Sequence, residues 1–180
     1  MLQQREVGED ERSVLESGLR RVGELEFLVA GLELVASGPS SDGAAAVRQA
    51  LEAAAIRVGE EPDVVDVDEG LWEGIPHRYV ERVAFELLSN ATRYGVRPIE
   101  VTARKNQGVA TLVISDLGGW SPPVPDFSAF YQSDMSATRP RGGMGLGLFM
   151  ASRLCQAAGG DLVIRALNGR TVAQARFGSR

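Results

Sequence analysis

The most informative stretch of this chain reads Glu86-Leu87-Leu88-Ser89-Asn90-Ala91-Thr92-Arg93-Tyr94. It ends a segment, 78–94, in which apolar side chains recur with the spacing of one helix face. These apolar residues are Val80, Ala84, Leu87, Leu88 and Ala91. The opposite face carries Glu86, Asn90 and Arg93, which are four and three residues apart and therefore lie in one row. We expect a helix that buries one side and presents three polar groups on the other.

A carboxylate, an amide oxygen and a guanidinium in one row suit the surroundings of a magnesium-bound triphosphate. Asn90 would give an oxygen to Mg²⁺, Arg93 would neutralise phosphate, and Glu86 would orient water or accept a proton. An ordinary solvated helix face carries the same residue types, and for this helix taken alone that interpretation is favoured several to one. The rest of the chain decides between the two.

A glycine-rich run, Gly142-Gly143-Met144-Gly145-Leu146-Gly147-Leu148, precedes a predicted helix over 149–158. Glycines just before a helix let backbone N–H groups and the helix N-terminus face phosphate oxygens. Such a run also occurs where a tight turn simply needs small residues. Upstream, a predicted strand ends at Asp116 and is followed by Leu117-Gly118-Gly119. Its carboxylate would accept a hydrogen bond from an adenine amino group, unless the stretch is a plain turn.

Composition indicates a globular protein of 180 residues with 44% apolar and 24% charged residues. A net charge of −5 argues against a nucleic-acid-binding surface. Since no apolar run approaches the ~20 residues of a membrane helix, and no signal core is evident, we expect a cytoplasmic location. The single Cys155 and single His77 exclude an internal disulfide and a zinc cluster, and Cys155 is expected to be buried.

The N-terminal part, 1–59, is predicted to be a helical hairpin. Residues 9–37 carry a heptad-like apolar stripe, and 44–58 form a second, alanine-rich helix after the turn at 38–43. The stripe consists of Leu15, Val22, Leu25, Val29 and Leu32. Two interpretations stay open: the hairpin forms a four-helix bundle with a second copy, giving a homodimer, or both helices pack on the following domain.

The second part, 60–180, is predicted to be a two-layer α+β sandwich. Period-two patterns predict strands over 62–68, 99–105 and 109–115, and a hairpin pairs 161–167 with 171–177 across Asn168-Gly169. Residues 120–142, rich in Pro, Ser, Asp and Arg, are expected to form a mobile lid. Helices on one side and mostly antiparallel strands on the other give the two layers.

In this order the motifs resemble the ATP-binding domain of histidine kinases. That domain has the Bergerat fold and belongs to the GHKL superfamily. The superfamily also includes gyrase, a class of heat-shock chaperones and the mismatch-repair MutL proteins. Residues 86–94 resemble its N-box, 116–118 its first glycine box, 126–134 its phenylalanine box and 143–148 its second glycine box. The resemblance covers about 62–177, and the phenylalanine box favours histidine kinases over the other members.

The resemblance implies a site for ATP and Mg²⁺. Asn90 would bind Mg²⁺, Glu86 would be the catalytic residue that activates the attacking group, and Asp116 would read adenine. The other implied nucleotide-binding residues are Arg93, Gly118, Gly143, Gly145, Leu146, Gly147 and Thr171. Together they imply a kinase that acts chiefly by positioning and charge neutralisation.

Two features depart from the family pattern. Trp120 stands where the first glycine box normally has a second glycine, although Gly119 lies one place earlier. Residues 9–37 contain no histidine, whereas a histidine kinase carries its phosphorylated histidine on the first helix of the hairpin. The only histidine, His77, follows Pro76 and is expected to be an ordinary helix-start residue.

The leading hypothesis is therefore a kinase domain that phosphorylates a histidine of another chain, with a histidine-bearing kinase chain or a response regulator as partner. A pseudokinase or phosphotransfer adaptor, which uses the fold for docking without catalysis, is the second hypothesis; Trp120 and the missing histidine favour it. An anti-sigma-factor serine kinase is the third. The phenylalanine box and the N-terminal hairpin argue against it.

Overall fold

The computed structural model describes residues 9–38, 44–68, 70–118, 127–129 and 145–178. The helices are α1 (Glu9–Ser37), α2 (Val47–Val58), α3 (His77–Tyr94) and α4 (Gly147–Ala157). The strands are β1 (Ala44–Ala46), β2 (Val64–Val67), β3 (Leu71–Glu73), β4 (Glu100–Asn106), β5 (Val109–Asp116), β6 (Leu162–Leu167) and β7 (Arg170–Gly178).

Five strands form the main sheet, in the order β2-β4-β5-β7-β6. Strand β2 runs parallel to β4, and the other neighbours are antiparallel. The β6–β7 hairpin turns at Asn168 and Gly169, whose φ angles of 53° and 75° are those of the tight hairpin turn that an Asn-Gly pair favours. The predicted α+β sandwich and its strands are confirmed.

The helices α2, α3 and α4 share one apolar core with the sheet. The predicted apolar face of α3 is buried, and Cys155 of α4 is buried as expected. Helix α2 packs mainly against α3 and contributes Ala50, Leu51 and Ala54 to this core. The division at residue 59 stays a prediction, and this packing favours counting α2 with the sheet.

The main difference from the sequence prediction lies at the start of the second helix. Ala44–Ala46 was expected to be helical, but it forms strand β1 and pairs antiparallel with β3, which was not predicted. Three alanines carry little side-chain information, so pairing with a neighbouring strand overrides their helix propensity. Strand β3 has only three residues, too few to show a period-two pattern.

Helix α1 is continuous over 29 residues, with the predicted bounds. Its heptad-like stripe is left uncovered by the other described residues, because the five stripe residues are 38–58% exposed. The C-terminal half of α1 instead contacts α3 and α4 through residues beside the stripe, among them Phe27 and Gly31. Within the described ranges, we find no helix with the length and apolarity needed to cross a bilayer.

Candidate functional site

One end of the candidate site is built around Asp116, the last residue of β5, which is 4% exposed. Its Oδ1 accepts hydrogen bonds from the backbone N–H of Gly118 at 2.6 Å and of Val96 at 3.4 Å. Burial raises the pKa of Asp116, while these two donors and the nearby Arg170 lower it in part. The carboxyl group is thereby fixed in one orientation at the end of the strand.

Two glycines make this close packing feasible. A Cβ on Gly95 would lie 2.5 Å from Asp116 Cγ and 2.5 Å from the Ala91 carbonyl oxygen, and a Cβ on Gly118 would lie 2.6 Å from Asp116 Oδ1. Gly95 has a φ of −83°, which any residue adopts, so space rather than backbone conformation requires glycine here. Gly95 is not among the residues predicted from the sequence, since a glycine after a helix is commonly just a helix end.

Thr171 lies beside Asp116 because β7 pairs with β5 in the register Asp116↔Thr171. The buried Thr171 hydroxyl donates a hydrogen bond to the Gly118 carbonyl oxygen. The preceding residue, Arg170, forms an ion pair of 3.0 Å with Glu100. Arg170 is not among the site residues predicted from the sequence. The structure therefore brings three of the predicted residues together: Asp116, Gly118 and Thr171.

The other end of the site is built around Glu86, in the middle of α3. Its side chain is 10% exposed, and its Oε1 lies 2.6 Å from Nη2 of Arg82, one helical turn earlier. Burial raises the pKa of Glu86, and the positive charges of Arg82 and Arg93 oppose that shift. Burial also lowers the pKa of Arg82, which is 6% exposed. Arg82 was not among the predicted residues.

The described part of the glycine-rich run meets Glu86 directly. Gly145 has a φ of +68°, in the left-handed region that favours glycine, and Leu146 is buried. Gly147 begins α4, and a Cβ on it would collide with Glu86 Oε2. The N-cap residue of α4, Leu146, makes no side-chain capping hydrogen bond, and the first N–H groups of a helix favour an anion. Gly143, Trp120 and most of the predicted lid and phenylalanine box lie outside the described residues.

Helix α3 joins the two ends. Glu86 contacts the start of α4, whereas Gly95, directly after the helix, contacts Asp116. At 1.5 Å per residue these two positions are about 13 Å apart along the axis. Between them lie Asn90, which is half-buried, and Arg93, which is exposed, so the predicted polar row runs from one end of the site to the other.

Comparison with known proteins identifies the family. The family model described as "Histidine kinase-, DNA gyrase B-, and HSP90-like ATPase" matches residues 77–178, more than half of the chain. The sensor histidine kinase YkoH of Bacillus subtilis (strain 168) is 34% identical over 90 residues, which are 48% of this chain and 20% of YkoH. The chain thus spans about a fifth of the length of this curated relative.

Solved structures share the fold. The histidine kinase AdeS of Acinetobacter baumannii superposes with a TM-score of 0.68 at 15% identity, covering 97% of this chain and 87% of that one. Full-length ShkA in complex with AMPPNP superposes with a TM-score of 0.65 at 22% identity, covering 99% of this chain and 41% of that one. The chain therefore belongs to the histidine kinase-, DNA gyrase B- and HSP90-like ATPase family and has the fold of histidine kinase catalytic domains.

Proposed function

We propose that this chain is the ATP-binding kinase domain of a two-component histidine kinase. It would bind Mg-ATP and transfer the γ-phosphoryl group to a histidine of another chain. The observation that carries the proposal is the course of α3. The middle of this helix holds Glu86 against the glycine run, and Gly95, directly after the helix, contacts Asp116. Membership of an ATPase family supports the same conclusion.

Adenine recognition is assigned to the Asp116 end. Because two backbone donors hold Oδ1, the other carboxylate oxygen is left to accept a hydrogen bond from the adenine amino group. Gly118 has no side chain, so the adenine ring can approach its backbone closely. The Thr171 hydroxyl holds the Gly118 carbonyl in place through a hydrogen bond. A buried acceptor rejects a base that offers a carbonyl at this position, so the site would prefer ATP to GTP.

Phosphate binding is assigned to the other end. Gly143, Gly145, Leu146 and Gly147 precede or begin α4, whose N-terminal N–H groups favour negative charge. Asn90 would give one oxygen to Mg²⁺, which takes its remaining ligands from phosphate and water in most nucleotide sites. The ShkA structure, which was solved in complex with AMPPNP, supports nucleotide binding by this fold.

Glu86 is assigned the role of general base. Burial raises the pKa of its carboxyl group, which makes it a better proton acceptor than an exposed glutamate. In the proposed reaction it accepts a proton from the attacking group, while Arg93 offsets the charge of the phosphates. The bound metal supplies charge neutralisation of the transferred phosphoryl group.

The partners follow from features outside the nucleotide site. The chain has one histidine, His77, which is the first residue of α3, so the phosphoryl acceptor would be a histidine-bearing kinase chain, with a response regulator downstream. The exposed apolar stripe of α1 supports a homodimer formed through this helix. A cytoplasmic location accords with an ATP-consuming role.

The proposal is tested by incubating the chain with γ-labelled ATP, Mg²⁺ and candidate partner chains that carry a histidine on a helical hairpin. The expected product is a labelled partner whose phosphate is lost in acid and kept in alkali. A product whose phosphate survives acid but is lost in alkali would instead support a serine kinase. If ATP binds but no partner is labelled, the docking adaptor, favoured by the absence of a hairpin histidine, replaces the kinase.

A further inference from the structure

Arg82 connects the catalytic candidate Glu86 to helix α1. Its Nη1 donates a hydrogen bond of 2.6 Å to the backbone carbonyl oxygen of Phe27, which lies on α1. Its Cζ stands 3.8 Å from the centroid of the Phe27 ring, and that ring also packs edge-on against Phe85 at 4.5 Å. The guanidinium therefore extends from α3 to the backbone of α1 while it is almost fully buried.

Gly31, one turn after Phe27, leaves the space that Arg82 occupies. A Cβ on Gly31 would lie 2.6 Å from Arg82 Cζ and 2.8 Å from Met150 Sδ, and Arg82 Nη2 is 3.5 Å from the same sulfur. Helices α1, α3 and α4 thus meet around one guanidinium group. A displacement of α1 at residues 27–31 has to move Arg82 or break its contacts.

The same guanidinium pairs with Glu86, whose second oxygen faces Gly147 at the start of α4. A buried charge without a partner is costly, so the position of Glu86 depends on that of Arg82. The Cζ atom of Arg57, on α2, lies 4.3 Å from the centroid of the same Phe27 ring, and Arg57 adds a second positive charge near Arg82. The contacts form a continuous chain from α1 to Glu86.

We propose that Arg82 is a positioning residue that couples the placement of α1 to the placement of Glu86. The role of Glu86 rests on the proposed function, whereas the link from α1 to Arg82 does not. When α1 packs against α3 as in this structure, Arg82 holds Glu86 beside the start of α4. When α1 moves, Glu86 loses its fixed partner, so turnover changes while nucleotide binding at the Asp116 end is preserved.

The first experiment measures Mg-ATP hydrolysis and ATP affinity for Arg82→Met, which keeps the aliphatic stem but loses the ion pair and the hydrogen bond to Phe27. We expect kcat to fall at least tenfold, with KM and the calorimetric Kd within twofold of wild type. Arg82→Lys, which keeps the charge, should recover part of kcat. The matched control is Arg104→Met, which removes an exposed ion pair with Asp66 of 2.5 Å and should leave kcat unchanged.

The second experiment measures hydrogen exchange of the α1 amides over residues 24–34, and it needs no activity. Arg82→Met should speed their exchange at least fivefold, and Arg104→Met should not. Gly31→Ala should speed exchange and lower kcat as well, because its methyl group displaces Arg82 without altering any charge. If Arg82→Met fails to fold, Arg82→Lys and Gly31→Ala decide the question.

Unchanged exchange in both Arg82→Met and Gly31→Ala would overturn the link. A loss of kcat matched by an equal rise in Kd would overturn the positioning role, because it would show general damage to the nucleotide site. If the wild-type chain binds no ATP, the proposed function fails. The exchange measurement alone then decides whether Arg82 holds α1 to α3.

Discussion

The two ends of the site are held in place by different means. Around Asp116 the contacts are made by the backbone: two N–H donors and two glycines whose missing Cβ atoms leave room for the carboxylate. Around Glu86 they are made by side chains, through a buried ion pair where three helices meet. Substitutions around Asp116 should therefore affect nucleotide binding, whereas substitution of Glu86 or Arg82 should affect turnover.

The largest expected effect separates turnover from binding at the Glu86 end. Glu86→Gln keeps the size of the side chain but cannot accept a proton, so kcat for phosphoryl transfer or ATP hydrolysis should fall about 10²- to 10⁴-fold. ATP affinity, measured by calorimetry, should stay within about threefold because the substitution leaves Asp116 and the backbone N–H groups proposed for the phosphates unchanged. A parallel loss of affinity would show that the two ends are not independent.

The next largest expected effect is on nucleotide binding, at the Asp116 end. Asp116→Asn still offers an oxygen to the N–H groups of Gly118 and Val96, but it presents an amide donor where adenine offers its own donor. We expect ATP to bind about 10- to 100-fold more weakly, the equivalent of about 1.5–3 kcal/mol, by calorimetry. A Kd equal to that of the wild type would remove Asp116 from the adenine site.

A third prediction concerns pH. Burial raises the pKa of Glu86 above its ordinary 4.5, and a general base works only when deprotonated. Turnover should therefore fall about tenfold per pH unit as the pH drops below the raised pKa of Glu86, with a midpoint above 4.5. The pH profile of kcat measures this, and in Glu86→Gln the same limb should be absent.

The smallest expected effect tests the role of close packing around Asp116. Gly95→Ala places a methyl group against Asp116 and the Ala91 carbonyl, and should lower the free energy of unfolding by about 1–3 kcal/mol. The control is Gly23→Ala on α1, where a Cβ meets nothing within 4 Å, and which should stabilise the chain by about 0.5–1 kcal/mol. Denaturant unfolding measures the free energy of unfolding of both variants, and an equal change in the two would contradict the packing argument.

Much of the fold follows from the sequence because α3 and the strands carry strong periodic patterns. The resemblance implies that Asp116, Gly118 and Thr171 belong to one nucleotide site, and the structure brings these three residues together, while their roles stay predictions. Arg82 and Gly95 escape prediction for a physical reason: their importance lies in contacts with α1 and with β5, which are distant in sequence. Periodicity reports which face a residue occupies, but not which partner it meets there.

The central claim is that the chain binds Mg-ATP, and calorimetric titration with ATP tests it most directly. The wild-type chain should bind ATP in the presence of Mg²⁺. Asn90→Ala should bind at least tenfold more weakly, because it removes the side-chain oxygen proposed for the metal. Absence of heat and of any shift in melting temperature at millimolar ATP with Mg²⁺ would contradict the account.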